Sequence, residues 1–146
     1  MHRSIEDICD QVIEFDSCIR FAGFATKTGK LIAYKYRKES IPFLTSDETQ
    51  LSALDTALKM RIRKDLEPKL GKVIYSITLY EKVTRATILL NSEDYPIFMV
   101  SFDKTNKRTD HESLILCGIL PLLSHYLSWD RVSRRTKPRT FPNYQF

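Results

Sequence analysis

With 146 residues, 42% of them apolar, the chain amounts to about one domain and can bury a core without disulfide or metal staples. Its formal charge is +5, and most of it lies beyond residue 129, where Arg131, Arg134, Arg135, Lys137 and Arg139 face the single acid Asp130. The rest is close to neutral, so overall basicity is weak support for a nucleic-acid partner. No apolar run has transmembrane length; the longest, Leu114 to Leu123, holds a Gly and a Pro. Met1 leads directly to the acidic residues Glu6 and Asp7 and not into a signal peptide, so a cytoplasmic protein is expected. Cys9, Cys18 and Cys117 are odd in number, widely spaced and lack a C-x-x-C pair. Three reduced structural thiols are therefore expected, not a disulfide framework or a zinc site.

Three helix starts carry one signature. Ser4-x-x-Asp7 is a variant of the capping box, and Thr45-x-x-Glu48 and Thr109-x-x-Glu112 fit it directly, a side-chain oxygen satisfying an orphan backbone N–H. Ile5, Ile8, Cys9 and Val12 then fall on one stripe of a short helix. A strand over about 18–26 places Ile19, Phe21, Gly23 and Ala25 on one face and Arg20, Ala22 and Phe24 on the other, with Gly23 suited to close approach by a helix. Lys27-Thr28-Gly29-Lys30 is a hairpin turn with Gly29 free to take positive φ. It leads into a strand over 31–37 that puts Ile32, Tyr34 and Tyr36 on one side, and then a loop over 38–44 containing Pro42.

The spacing of Leu51, Leu54, Leu58, Ile62 and Leu66 predicts a helix over about 46–66, ended by Pro68 and Gly71. Lys59, Arg61, Arg63 and Lys64 complement its negative end. Alternation predicts strands near 72–80, 83–91 and 96–103, the first two joined by the short Glu81-Lys82 link and the last starting at Pro96. A last helix runs from near Asp110 to Trp129, with Pro121 expected to kink it or split it in two. Strands apolar on both faces need cover on both sides. The expected fold is α+β: a five-stranded antiparallel sheet sandwiched by helices, order α-ββ-α-βββ-α, over residues 1–129, followed by a basic, aromatic tail over 130–146.

The run Ile19-Arg20-Phe21-Ala22-Gly23-Phe24-Ala25-Thr26-Lys27-Thr28-Gly29-Lys30-Leu31-Ile32-Ala33 resembles the first hairpin of Roadblock/LC7-type domains. The block order from residue 4 to about 127 is similar to that profilin-like α/β fold. The resemblance implies a small, usually dimeric regulator or scaffold for small GTPases and motors. It also implies that the second helix and third strand build the subunit interface. Leu51, Leu54, Leu58, Val73, Tyr75 and Ile77 are then candidates for a dimer surface; the alternative is that they cover the chain's own sheet. Over residues 19–103, the hairpin, the stretch Met60-Arg61-Ile62-Arg63-Lys64-Asp65 and Leu70-Gly71-x-Val73-x-Tyr75 are similar to small proteins of ammonia-oxidising archaea. That second resemblance implies a family but no activity. Where those relatives have small residues after the hairpin, this chain has Tyr34-Lys35-Tyr36-Arg37.

No catalytic signature competes with this reading. There is no G-x-x-x-x-G-K-[ST], and four glycines cannot form a Gly-rich phosphate loop, so no cofactor and no enzyme activity is expected. His111 and His125 are fourteen residues apart, roughly 21 Å on an unbroken helix, too far to share a metal. They read as solvent-facing or capping residues, and Cys117 as a buried helix cysteine. Asp47-Glu48 and Glu6-Asp7 read as helix-start charges. In the tail, Arg131, Arg134, Arg135, Lys137 and Arg139 suit phosphates, and Phe141, Tyr144 and Phe146 suit stacking on bases. This is a candidate surface for nucleic acid or another anionic partner; the alternative is a solvated tail anchored over the body by its aromatics. Three functions stand in order: a dimeric regulatory or scaffold protein binding a small GTPase or other signalling protein, a nucleic-acid-binding protein, and a small-molecule sensor with Tyr34, Tyr36, Tyr75 and Tyr80 around a pocket.

Overall fold

The computed structural model describes residues 4–104 and 110–127. Side-chain caps set its helix starts. Ser4 Oγ accepts the Asp7 N–H at 3.1 Å ahead of α1 (Ile5–Phe15). Thr45 and Glu48 close a reciprocal capping box ahead of α2 (Ser46–Lys64). At the third start the cap is Asp110, whose carboxylate accepts from the backbone N–H and hydroxyl of Ser113. A carboxylate caps as well as a hydroxyl does, so the start moves one residue past Thr109, which lies outside the described residues. The helix expected over 46–66 stops at Lys64, and a separate turn, α3 (Glu67–Leu70), carries Pro68 near its start and closes on Gly71 at φ +82°.

The C-terminal helical segment is broken, one turn before its proline. It comprises α4 (His111–Leu114), a π-helical turn over Ile115–Ile119, α5 (Leu120–Leu122) and a 3-10 turn over Ser124–Tyr126. Pro121 has no N–H for the Cys117 carbonyl, and its ring crowds that oxygen. The wide turn, in which the Leu120 N–H reaches back to the Ile115 carbonyl, absorbs the mismatch. It keeps Ile115 and Ile119 buried and seats Phe15 directly on Gly118, where a Cβ would lie 2.0 Å from the ring. It also leaves Cys117 exposed, which corrects the expectation of a buried cysteine.

Strands β1 (Ile19–Ala25), β2 (Leu31–Tyr36), β3 (Tyr75–Leu79), β4 (Val83–Leu89) and β5 (Ile97–Asp103) form one antiparallel sheet in the order β2-β1-β5-β4-β3. In β1 a bulge offsets the alternation: Ile19 pairs with Phe102, but Phe21 pairs with Ser101, so Arg20 is the extra residue. Beyond it Phe21 and Ala25 face α2, while Ala22 and Phe24 face α1. Ile19, expected on the Phe21 face, is thereby moved to the Phe24 face. A one-residue offset exchanges faces because the side-chain period is two. The close helix approach also falls elsewhere than at Gly23. A Cβ on Gly29, at φ +86°, would lie 2.5 Å from Leu54 Cα in α2, whereas a Cβ on Gly23 would meet the side chains of Phe21 and Tyr34.

The two faces of the sheet are covered unequally. Under α1 and the C-terminal segment, Phe24, Ile88, Phe98, Val100 and Phe102 pack with Val12, Ile115, Ile119 and Leu123, all fully buried. Under α2 the buried set is Phe21, Ala25, Ala53, Ala57, Ile97 and Met99.

Candidate functional site

The residues α2 turns to the sheet are small. Thr49, Ala53 and Ala57, four apart, are buried against Phe21, Ala25, Ile97 and Met99. Small contact residues let the helix sit close, and polar side chains tie it down. The Leu31 N–H donates to Gln50 Oε1 at 3.2 Å, the Tyr36 and Thr49 hydroxyls lie 2.9 Å apart, and the Arg85 guanidinium donates to Ser52 Oγ. The apolar stripe therefore points away from the sheet: Leu51, Leu54, Leu58 and Ile62 are 65%, 43%, 49% and 69% exposed. These residues do not cover the chain's own sheet.

The third-strand candidates lie apart from that stripe. Val73 precedes β3, and Tyr75 and Ile77 are half-buried on the opposite face of the sheet, against the core under α1 and the C-terminal segment. The Tyr75 hydroxyl donates to the Glu112 carboxylate; burial and that carboxylate push its pKa up to about 12. On the α2 side β3 presents Ser76 and Thr78 instead, and Tyr80 follows just past its end. Among the described residues β3 is an edge of the sheet and pairs only with β4, so its outer backbone groups face no described strand.

A cleft of about 500 Å³ opens on the α2 face where the helix begins, and part of it escaped the sequence reading. Its floor is one register row, Tyr36, Phe21, Ser101 and Arg85, each paired with the next across β2, β1, β5 and β4. The 38–44 loop forms a wall, held by Arg20. That guanidinium donates to Asp103 Oδ1 at 2.5 Å and to the Ile41 carbonyl at 2.6 Å, and stacks 4.2 Å from the Phe43 ring centroid. These residues span 20 to 101 and meet only through register. Of the four tyrosines expected around a pocket, Tyr36 and Tyr80 line this cleft, Tyr34 does not, and Tyr75 lies on the opposite face of the sheet. A further local signal is apolar Phe43 and Leu44 in a predicted loop.

Among the described residues the chemistry-bearing side chains do not converge on one centre. Cys9 and Cys18 are buried, and burial, with Asp10 beside the first and Asp16 beside the second, pushes both thiols up to about 12. His111 is neither solvent-facing nor a cap. Its ring stacks on Phe102 at 4.7 Å, and burial holds its pKa below the ordinary 6.5. Among the described residues no group of three or more His, Cys, Asp or Glu side chains is placed to hold a metal, and no helix is long and apolar enough to cross a membrane. Arg131, Arg134, Arg135, Lys137, Arg139, Phe141 and Tyr144 lie outside the described residues.

No protein-family model matches the sequence, and no curated protein is significantly similar to it. Solved structures are similar to it. The gliding protein MglB from Thermus thermophilus superposes with a TM-score of 0.63 over 86% of this chain and 95% of that one, at 12% identity. An MglB with a tetrameric arrangement gives 0.63 over 86% and 94%, also at 12% identity. The Roadblock/LC7 domain from Streptomyces avermitilis gives 0.62 over 84% and 94%, at 9% identity. At such identities the likeness is one of architecture: a five-stranded antiparallel sheet between helices, in the element order described, is the Roadblock/LC7 fold, and this chain has it.

Proposed function

We propose that this chain is a non-enzymatic regulatory or scaffold protein that works as a homodimer and holds a small GTPase or another signalling protein. The observation that carries the reading is the outer face of α2. Four large apolar side chains stand in a row there, while alanines cover the sheet. A contiguous exposed apolar patch marks a contact surface more often than an accident of composition. In this reading Leu51, Leu54 and Leu58 supply the contact, and β3 supplies its open backbone edge, since Tyr75 and Ile77 are engaged on the far side of the sheet. An MglB of the same fold takes a tetrameric arrangement. Three unbridged cysteines suit a reducing, cytoplasmic setting. The resemblance over residues 19–103 proposes kinship with the archaeal proteins. The nucleic-acid alternative rests on the tail over 130–146 alone, and no described residue adds to it.

Light scattering on a sizing column tests the reading. The protein should run as a dimer at micromolar concentration. The double variant Leu54→Ser, Leu58→Ser should run as a monomer with its stability changed by no more than about 1 kcal/mol, because both side chains are largely exposed. A wild-type chain that stays strictly monomeric overturns the dimer.

A further inference from the structure

The cleft beside the start of α2 is a second site, independent of the regulatory reading. At about 500 Å³ it falls within the range of small-molecule sites, which run from roughly 300 to 1,000 Å³. Its wall and floor are aromatic: Phe21 and Tyr36 meet at 4.9 Å between ring centroids, and Phe43 stands across from them on the loop. Its charge is unbalanced. Asp103 neutralises Arg20. Arg85, half-buried on the floor, donates to Ser52 Oγ and has no carboxylate partner among the described residues. Lys82 sits at the rim, 5.9 Å from the Phe43 ring centroid. Against these two cations the lining holds Glu81, which leaves one positive charge in excess. A half-buried guanidinium without a counter-ion is costly to keep, and its planar fork matches a carboxylate, sulfonate or phosphate head.

We infer that the cleft binds a small aromatic monoanion of two or three rings, its rings against Phe21, Tyr36 and Phe43 and its anionic head on Arg85 and Lys82. The chain's own tail is a poor occupant by charge, with five cations against one acid over 130–146. The geometry also sets the site apart from the outer stripe of α2, which faces away from the sheet.

The test is a fluorescence titration of the full chain with 8-anilinonaphthalene-1-sulfonate and, in parallel, its uncharged counterpart N-phenyl-1-naphthylamine. The sulfonate should bind saturably, one per chain. Arg85→Gln should weaken it about tenfold or more, the loss of a charge-assisted contact, and change the neutral probe much less. Val83→Trp, which fills the cleft, should abolish both; Ser101→Phe serves the same end should the first variant fail to fold, as judged by circular dichroism. Sulfonate binding unchanged in Arg85→Gln and in the filled variant overturns the site. So does sulfonate binding lost only in Leu54→Ser, Leu58→Ser, which would put the probe on the outer face of α2.

Discussion

The two faces of the sheet use the same strands in different ways. Under α1 and the C-terminal segment, large side chains interdigitate: Phe24 meets Phe98 edge-on at 4.9 Å and Tyr95 at 5.7 Å, with Ile115, Ile119 and Leu123 above. Under α2 the buried apolar side chains from the helix are only alanines, against Phe21, Ala25, Ile97 and Met99 of the sheet, supplemented by hydroxyl and amide hydrogen bonds, and one end of the face stays open as a cleft. The first face directs its apolar residues inward. The second keeps a thin inner layer and turns its large apolar residues out. Dense packing and outward apolar exposure are thus divided between the two sides of one sheet.

That division can be broken by experiment. The largest effect should come from Phe98→Ala. The side chain is fully buried, and its loss should cost about 3–5 kcal/mol in chemical denaturation, transfer and cavity terms together. A cost well under that would mean the thick face collapses readily and the contrast is overstated. Gly29→Ala should come next, at roughly 2 kcal/mol. It places a side chain at positive φ and 2.5 Å from the backbone of α2, which cannot step aside as a side chain would. Hydrogen exchange would sharpen this result, with protection lost in α2 while α1 keeps its own. The smallest effect on stability should accompany alkylation of the native protein by iodoacetamide. Cys117 should react first, and Cys9 and Cys18, whose thiols are held up to about 12, only on unfolding. Mass spectrometry of the labelled peptides reads the order.

The order of elements is legible in the sequence because its signals are local. Thr45 and Glu48 cap a helix wherever it sits, and Gly29 takes positive φ whatever lies beyond it. Direction is not local. Leu51, Leu54 and Leu58 have the same period as Thr49, Ala53 and Ala57, and periodicity does not say which row meets the sheet. Small residues won the inner position here because the sheet face beneath already carries Phe21, Tyr36 and Met99. The same limit hid the π-helical turn, where the response to Pro121 is displaced to the residues before it. It hid the cleft too, because Phe21, Ser101 and Arg85 become neighbours only once three strands are in register.

The bulge in β1 has an implication for how this surface can change. Ile19 and Phe21, two residues apart, belong to opposite sides of the molecule because the bulge at Arg20 breaks the alternation between them. Deleting Arg20 would make Ile19 and Phe21 immediate neighbours, which regular alternation already places on opposite faces, so the strand could return to phase with both residues where they are. The extra residue is also the one whose guanidinium anchors the 38–44 loop, so the phase of the strand and the wall of the cleft depend on the same position.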